Sequence, residues 1–294
     1  MALAAVLSAM RELILDIDSI PYIESDRQTS YANWFPDLAP EELEDLAKIP
    51  PKKLKIYTAT IFTGESSVFK NHFKMTIKIL DKAWQELNLS PLNLVQFTKL
   101  VHKKRPWKSY QTQNLVDNFQ QVIANDLPDL IQAYPYLPDL ALVEATAVKI
   151  KRKPDTDQTK NAVTLSEILD KTVQELMSLK LSVKPSCHFL TLNFDVYNSY
   201  YMFYTKQVGF NEPEESLNYV LGSRNSDNAV RWTRVSQAIF DLLKTQREVL
   251  LGTLAEAFLS DCPSDAALED NFQEFIKLVV LLENNAAIAL AVVS

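Results

Sequence analysis

The scarcity of glycine is the feature that most limits what this chain can fold into. Only four of its 294 residues are glycine: Gly64, Gly209, Gly222 and Gly252. Rossmann folds and P-loops need clustered glycine, because their backbone approaches a phosphate closely in a tight turn. The sequence has no such cluster and therefore argues against both classes of phosphate-binding fold.

Charge is distributed unevenly along the chain. The net charge is −7, yet residues 51–110 hold twelve bases and three acids, for +9. Residues 1–50 and 251–294 are acidic, with net charges of −7 and −6. The total charge does not indicate a nucleic-acid-binding protein, but one segment is locally basic.

Cysteine and histidine are too few and too scattered to predict a metal site. The histidines His72, His102 and His188 lie far apart in the sequence. Two cysteines, Cys187 and Cys262, are typical of a protein whose thiols stay reduced. Because Cys187 and His188 are adjacent, a strand would point them to opposite faces, which argues against a nucleophilic pair. We expect no metal bound by this chain.

The N-terminal half of the chain shows helical periodicity. Apolar residues recur at helical spacing, and prolines precede several of the periodic stretches. We predict an irregular segment over 19–40, a helical segment from 90, and helices over 3–18, 40–48, 51–73, 75–87, 115–124, 140–150 and 164–179. This half is therefore predicted to form a helical bundle.

The pattern changes near residue 180. Alternating apolar and polar residues predict a strand over 181–196 and a hairpin of two strands, 217–223 and 229–235. The tyrosine-rich run that follows the first strand is predicted to be strand or irregular. Three helices, over 236–245, 250–259 and 268–284, and a small strand over 288–292 complete the chain.

These elements predict an α+β fold with two domains. Residues 1–180 would form the helical bundle. Residues 181–294 would form a small β-sheet followed by three helices, an order shared by winged-helix domains and by PqqD-like modules that bind precursor peptides. We place the boundary between the two domains near residue 180.

The run YPYLPDLALVE, over 134–144, marks the start of one predicted helix. Pro135 and Pro138 fix φ, and Pro138 suits the first helical turn, where its missing N–H is no loss. Asp139 and Glu144 place negative charge near the positive end of the helix. On physical grounds alone, the run predicts a well-formed helix start and nothing more.

Together with KKLKIYTATIF over 52–62, this run resembles the BufC/HvfC family, to which MbnC is a more distant relative. Lys53, Tyr57 and Phe62 stand where that family has a basic residue, a tyrosine and an aromatic residue. The similarity is a scattered pattern over most of the chain. The N-terminal half of such proteins is often labelled a DNA-binding domain.

The resemblance implies a protein without catalytic activity. Members of the family look like partner proteins of multinuclear non-haem iron oxidases, which modify cysteines in ribosomally synthesised peptides. The oxidase would hold the iron, and this chain would bind no cofactor. The N-terminal bundle, including the helix that begins near Leu137, would dock the oxidase in a heterodimer through Tyr136, Leu137, Asp139 and Glu144.

The same resemblance assigns a peptide-binding site to the C-terminal domain, which would be similar to a recognition element of such peptides. If strand 229–235 lies at a sheet edge, its unpaired backbone groups can accept the precursor's leader as an added strand. Its neighbour would be the helix from Leu268. The predicted contact residues are Val230, Trp232, Arg234, Leu268, Phe272, Phe275 and Ile276. The alternative is that these side chains simply fill the core of the domain.

Two other functions remain open at the level of sequence. A DNA-binding regulator would use the winged-helix-like half and the basic segment 99–108, in which Trp107 is embedded. The net charge of −7 counts against it. An independent enzyme is the weakest possibility. The paired carboxylates that could act as an acid and a base are adjacent in the sequence, and the side chains of adjacent residues do not face each other. With charges in the first twenty residues and no long apolar run, we expect a cytoplasmic protein.

Overall fold

The structure combines helices with two small sheets, which confirms the predicted α+β class. It is a computed structural model, and it describes residues 2–15, 27–87, 93–105, 112–153, 172–206, 211–262 and 268–291. The chain divides into two compact units, Met1–Leu127 (unit 1) and Pro128–Ser294 (unit 2). Each unit has its own hydrophobic core.

The described part of unit 1 is helical. Its helices are α1 (Ala2–Leu15), α2 (Arg27–Trp34), α3 (Pro40–Ala47), α4 (Pro51–His72), α5 (Lys74–Leu87), α6 (Leu94–Lys104) and α7 (Thr112–Asn125). Proline occupies the first position of both α3 and α4, where its fixed φ suits a helix start. Asn93 caps α6 by accepting a hydrogen bond from the Gln96 N–H at 3.0 Å.

Aromatic packing forms the centre of unit 1. The rings of Phe73 and Phe119 stack with centroids 4.1 Å apart, and Phe69 and Phe97 pack against Phe119 at 4.6 and 5.2 Å. All four side chains are fully buried. These contacts join the C-terminal end of α4 to α6 and α7, so the helical bundle predicted from periodicity is confirmed here.

Unit 2 begins with helices and ends with mixed structure. Its helices are α8 (Pro128–Ala133), α9 (Leu137–Arg152), α10 (Val173–Met177), α11 (Val196–Lys206), α12 (Gln237–Thr245), α13 (Leu251–Leu259) and α14 (Leu268–Asn284). Its strands are β1 (Lys180–Val183), β2 (His188–Phe194), β3 (Glu215–Arg224), β4 (Val230–Val235), β5 (Glu248–Leu250) and β6 (Ile288–Ala291).

The strands form two antiparallel three-stranded sheets. One has the order β5-β1-β6 and the other, the β2–β4 sheet, has the order β2-β3-β4. The predicted hairpin is confirmed as β3 and β4, which are joined by a tight turn. In that turn the Asn225 N–H donates to the Ala229 carbonyl at 3.1 Å, and Asn228 adopts φ 59°. Asparagine tolerates this left-handed conformation better than most residues.

The β2–β4 sheet lies between two layers of helix. On one face, Trp232 packs edge-to-face on Tyr200 of α11, and Gly222 lies against Ile150 of α9. On the other face, Tyr219 contacts Phe240 of α12, with ring centroids 5.2 Å apart. The core of unit 2 on that second face also contains Leu221, Val235 and residues of α13 and α14.

Several sequence predictions differ from the observed elements. The tyrosine-rich run is a helix, α11, because its residues at i, i+4 and i+8 face α9 and the sheet. Arg27–Trp34 is helical where an irregular segment was predicted. The three-residue strand β5 had too little sequence to show alternation. Of the helix predicted over 164–179, the structure describes only the end, as α10, and residues 154–171 lie outside the described part.

The domain boundary also differs from the one predicted near residue 180. Helix α9 packs against β2, β3 and α11, so the compact division of the chain falls after Leu127 instead. The proline-rich run at 134–144 therefore belongs to the same unit as the β2–β4 sheet. Within the described residues, no helix is both long and apolar enough to cross a membrane.

Candidate functional site

Strand β4 is an edge of the β2–β4 sheet within the described part of the chain. Its register pairs Val235 with Tyr219 and Val230 with Arg224. Hydrogen-bonded pairs alternate along an antiparallel ladder, and the bond between Asn225 and Ala229 fixes which pairs these are. The alternate residues Val230, Trp232 and Arg234 therefore direct their N–H and C=O groups away from β3.

These outward groups have no other backbone partner among the residues that the structure describes. A sheet edge in this state can pair with an added strand, since each such residue offers one donor and one acceptor. The sequence analysis made the peptide site conditional on strand 229–235 lying at a sheet edge, and within the described residues it does. The same three residues named from sequence are the ones that present the edge.

A groove of about 680 Å³ opens beside the end of β4. It lies between the β3–β4 ladder and helices α12, α13 and α14. Its lining residues are Leu217, Tyr219, Arg234, Val235, Ser236, Ile239, Phe258, Asp261, Cys262, Glu274, Lys277, Leu278 and Leu281. The edge of the sheet and the groove together form the candidate site, which we call the β4 site.

The rim of the groove is unusually apolar for a surface. Leu217 on β3 is 54% exposed and Leu281 on α14 is 46% exposed. The two charged residues that α14 contributes are paired with each other, since Lys277 Nζ lies 2.6 Å from Glu274 Oε1. Exposed leucines next to an open strand provide contacts for the side chains of an extended peptide, in the manner of strand addition.

Trp232 does not point into the groove. Its ring contacts Tyr200 with centroids 6.2 Å apart, and it closes over Gly222 on the α9 face of the sheet. The indole N–H is buried and has no hydrogen-bond partner among the described residues. The side chain predicted as an aromatic anchor for a guest peptide therefore belongs to the internal contact between sheet and helices, and only its backbone belongs to the edge.

The predicted contact residues on α14 are placed mostly towards the core. Phe275 is buried, with its ring centroid 5.6 Å from that of Phe258, and Ile276 packs partly buried against the same core. Phe272 is half-buried, and Leu268 begins the helix. Phe272, Phe275 and Ile276 are not among the residues that line the groove. The helix instead turns Leu278 and Leu281 to it, residues that the sequence prediction missed.

A signal for the missed residues was present in the sequence. Leu278 and Leu281 lie three apart on α14, beside the core stripe of Phe275, Val279 and Leu282. A helix that buries one stripe and carries a second, adjacent apolar stripe indicates an exposed contact surface. Leu217 gave no comparable signal, because one leucine at a strand end is common on protein surfaces.

The four residues predicted to dock an oxidase are all buried in unit 2. Their exposed fractions are 4% for Tyr136, 0% for Leu137, 8% for Asp139 and 1% for Glu144. A buried side chain offers no surface to a partner protein in this structure. These residues have internal partners instead, and those partners connect α9 to its surroundings.

Asp139 caps the C-terminal end of β2, the strand at the edge of the sheet opposite to β4. Its Oδ2 accepts hydrogen bonds from the Asn193 and Phe194 N–H groups of β2, at 2.6 and 3.0 Å. Burial raises the pKa of Asp139 above its usual value, and the two backbone donors lower it. The carboxyl group thus occupies backbone donors that an added strand would otherwise need.

Glu144 holds α11 against α9. Its Oε1 accepts a hydrogen bond from the Tyr204 hydroxyl at 2.9 Å. Burial and the adjacent Glu144 both raise the pKa of Tyr204 above its usual value, so this phenol stays protonated and remains a donor. The Tyr200 ring, stacked on Tyr204 with centroids 4.5 Å apart, continues this contact to Trp232.

In unit 1, the basic segment at the end of α6 is only partly described. Lys103 and Lys104 are exposed, and Lys99 Nζ lies 5.9 Å from the centre of the Phe62 ring. Trp107 lies outside the described residues. His102, on the same helix, is buried. Burial and the Arg11 charge lower the pKa of His102 to about 4. It therefore adds no positive charge at neutral pH.

Glu65 on α4 is the other unusual group of unit 1. It is 6% exposed, and neither carboxyl oxygen has a hydrogen-bond partner among the described residues. Burial raises its pKa to about 8, so the carboxyl is protonated at neutral pH.

The described residues contain no group of three or more side chains that could hold a metal ion. Both cysteines are free, Cys187 in the core and Cys262 at the groove. Burial raises the pKa of the Cys187 thiol to about 12, which keeps it protonated and unreactive.

Comparison with known proteins adds no assignment. No family model matches the sequence, and no curated protein is significantly similar to it.

Proposed function

We propose that this protein is a non-catalytic recognition subunit for a ribosomally synthesised precursor peptide. In this proposal the peptide's leader adds as a strand to β4, and the protein presents the cysteine-containing core of the peptide to a multinuclear non-haem iron oxidase. The oxidase holds the iron and forms a heterodimer with this chain. The proposal combines the β4 site with the family resemblance described for residues 52–62 and 134–144.

The observation that carries the proposal is the open edge of β4 beside an apolar groove. Val230, Trp232 and Arg234 direct backbone donors and acceptors outward, and the groove begins at Arg234 and Val235. In strand addition, main-chain hydrogen bonds supply affinity and pockets for alternate side chains supply specificity. Both components are present at one place.

The arrangement of unit 2 is part of the same proposal. Antiparallel strands β2, β3 and β4, with α11 inserted between β2 and β3, precede α12, α13 and α14, and this order resembles that of winged-helix and PqqD-like modules. We propose that α14 corresponds to the helix that lies beside the added strand in such modules. The groove between β3, β4 and α14 supports this correspondence.

Presentation by a second protein can accelerate a reaction without new chemistry. Once the leader is held on β4, the encounter of the peptide's core with the oxidase becomes effectively intramolecular. The gain is an increase in effective concentration, and it requires an unstructured segment long enough to reach the iron site. No titratable side chain of this chain takes part in the reaction under this proposal.

The test begins with the edge itself. Val230→Pro removes one outward N–H and leaves the ladder to β3 intact, because that N–H faces away from β3. We expect peptide affinity to fall roughly threefold to tenfold for the lost hydrogen bond, measured by fluorescence anisotropy with a labelled precursor. Ser226→Pro, in the turn between β3 and β4, is the matched control, since proline suits the second position of such a turn.

A second measurement keeps the result interpretable if Val230→Pro unfolds. Precursor peptides N-methylated at alternate residues lose either the donors that face β4 or the donors that face solvent. The peptide methylated at the donors that face β4 should no longer bind the unchanged protein. The peptide methylated at the donors that face solvent should still bind. Equal binding of both peptides would show that the leader does not bind as a strand.

The role of the complex is tested separately. The protein and a multinuclear iron oxidase encoded beside it should co-purify, and the oxidase alone should modify the full precursor more slowly than the pair. A core peptide without its leader should lose most of this advantage. Equal rates with and without this protein would reject the presentation mechanism.

DNA binding is the alternative, and the exposed Lys103 and Lys104 on α6 favour it. It predicts an affinity for duplex DNA that falls steeply with salt, because lysines bound to phosphates release counterions. Lys103→Gln combined with Lys104→Gln should then weaken binding and reduce the salt dependence. Absence of duplex binding at low salt would remove this alternative.

A further inference from the structure

We infer that the strand accepted by β4 is acidic, with two carboxylate side chains three positions apart. The inference deepens the proposed function and rests on it, since it names the chemistry of the guest that the open edge takes. It derives from the two arginines of β4, Arg231 and Arg234, in the strand sequence VRWTRV.

Neither arginine has an acidic partner among the described residues. Other arginines of unit 2 do have internal contacts: Arg224 donates to the Lys151 carbonyl at 2.9 Å, and Arg247 lies 5.2 Å from the Phe189 ring. Arg234 is exposed and borders the groove, and Arg231 is half-buried. Two cations without an ion pair among the described residues thus lie along the outward edge of β4.

The surroundings make these two cations distinctive. The chain has a net charge of −7, and its last 44 residues hold seven acids and one base. The single base in that segment, Lys277, is already paired with Glu274 at the groove. Positive charge at the β4 site is therefore provided by Arg231 and Arg234.

The geometry of a strand sets the spacing of the acids in the guest. Arg231 and Arg234 are three positions apart, so their side chains leave opposite faces of β4. A guest strand places one residue directly opposite each β4 residue, and opposite charges at such positions attract. Carboxylates at positions j and j+3 of the guest would therefore meet one arginine on each face.

The same charges act against the competing occupant, a second copy of this chain. Pairing two β4 strands would bring four arginines together along one ladder, and like charges on adjacent strands are destabilising. Charged residues on an exposed edge are a common means of preventing edge-to-edge association. The two arginines thus both disfavour self-pairing and select an acidic guest.

The test uses four short synthetic peptides of otherwise identical, strand-forming sequence. One carries Glu at j and j+3, one carries Glu at j and j+2, one carries Gln at both positions and one carries Lys at both. We expect the j, j+3 acidic peptide to bind tightest at low salt. The neutral peptide should bind roughly twofold to fivefold more weakly for each lost pair, and the basic peptide should bind weakest.

Protein variants assign the effect to the arginines. Arg231→Gln and Arg234→Gln should each remove part of the preference for the acidic peptide, and the double variant should bind acidic and neutral peptides equally. Lys52→Gln, at an exposed position of α4 in unit 1, makes the same change in net charge and should leave the preference intact. Arg234→Glu should shift the preference towards a peptide with Lys opposite that position.

The outcomes separate this inference from the proposed function. Equal binding of all four peptides, sensitive to Val230→Pro, would overturn the charge inference and leave strand addition standing. No binding of any peptide would reject strand addition itself. Concentration-dependent dimers in sedimentation that disappear in Val230→Pro would show that a second copy occupies the edge, and would overturn the inference as well.

Discussion

The two edges of the β2–β4 sheet end in different ways. At β2, the Asp139 carboxyl accepts two backbone N–H groups, and α9 and α11 lie against the same side of the unit. At β4, three alternate residues direct their backbone outward, with no backbone partner among the described residues. The C-terminal end of β2 is thus capped by a side chain, whereas no described residue occupies the outward backbone groups of β4.

A second comparison shows what makes a buried carboxyl a useful cap. Asp139 and Glu144 in unit 2 are buried like Glu65 in unit 1, with exposed fractions of 8%, 1% and 6%, but each of the first two accepts a hydrogen bond from a donor on another element. No such donor reaches Glu65 from the described residues. Donors therefore decide whether a buried acid organises its neighbours or only costs stability.

The largest effect we expect is the pH dependence due to Glu65. Its folded pKa of about 8 lies above the unfolded value of 4.5, so the stabilising contribution is complete below pH 4.5 and falls as pH rises towards 8. The loss approaches about 1.4 kcal/mol per pH unit within that window. Urea unfolding of wild type and Glu65→Gln at several pH values should show this slope only in the wild type.

Comparing wild type with Glu65→Gln removes the contribution of every other titrating group, because both proteins contain those groups. An identical slope in Glu65→Gln would contradict the assignment, and would mean that the carboxyl is ionised and paired in the folded protein. The result would then remove the contrast between unit 1 and unit 2.

The Asp139→Ala substitution should destabilise the protein at the β2 edge of the sheet. The substitution leaves the Asn193 and Phe194 N–H groups without their acceptor, at a cost of about 1–3 kcal/mol for each group that stays buried. We expect a loss of roughly 2–4 kcal/mol in the free energy of unfolding, measured in urea. Asp139→Asn keeps one acceptor oxygen and should lose less.

Hydrogen exchange locates the effect. The Asn193 and Phe194 amides should exchange faster in Asp139→Ala, while the amides of β4 should change little. If the amides of both strands accelerate equally, the carboxyl supports the whole sheet rather than one edge.

Gly222→Ala should be the next largest change. An added Cβ would overlap the Trp232 ring and lie 2.8 Å from Ile150 Cδ1, so the layer between sheet and α9 must shift. Overpacking of this kind costs roughly 1–3 kcal/mol. Gly64→Ala on α4 is the matched control, because a Cβ there meets nothing within 4 Å and removes a helix-interior glycine.

The control should stabilise the protein by about 0.5–1 kcal/mol through helix propensity alone. Thermal unfolding distinguishes the two variants by the sign of the change. Stabilisation by Gly222→Ala would show that Trp232 is free to move, and would restore it as a candidate anchor for the guest peptide.

The smallest effect on stability should come from substitutions in the groove beside β4. Leu217→Asp and Leu281→Asp change exposed side chains, so the free energy of unfolding should stay within about 0.5 kcal/mol of wild type. Peptide affinity should nevertheless fall, because both leucines line the groove. Leu7→Asp in unit 1 has the same 54% exposure as Leu217 and is the control for a charge placed on a surface leucine.

Unchanged affinity in both groove variants, with Val230→Pro still defective, would restrict the site to the strand edge. Loss of affinity in Leu7→Asp as well would show that the effect comes from charge rather than from the groove. Either result would show more closely which residues belong to the β4 site.

Much of the local structure was already determined by the sequence. Prolines at helix starts and apolar periodicity fixed α3 and α4, and the alternation of 217–223 and 229–235 around an asparagine-rich turn fixed the β3–β4 hairpin. Since the side-chain period of a strand is two, the same alternation identified Val230, Trp232 and Arg234 as one set. Local backbone preferences suffice for such predictions.

Only the tertiary structure decided which side chains line the groove beside that set. Phe275 is buried in the core of unit 2 and the half-buried Trp232 packs on Tyr200, so large apolar side chains that suited a binding site make internal contacts instead. The groove is made by Leu217, Leu278 and Leu281, which lie on separate elements and meet only when α14 packs beside the hairpin. Burial of acids such as Asp139, and the helix formed by the tyrosines of α11, likewise depend on partners distant in sequence. Contacts between distant segments determine burial, and no local pattern encodes them.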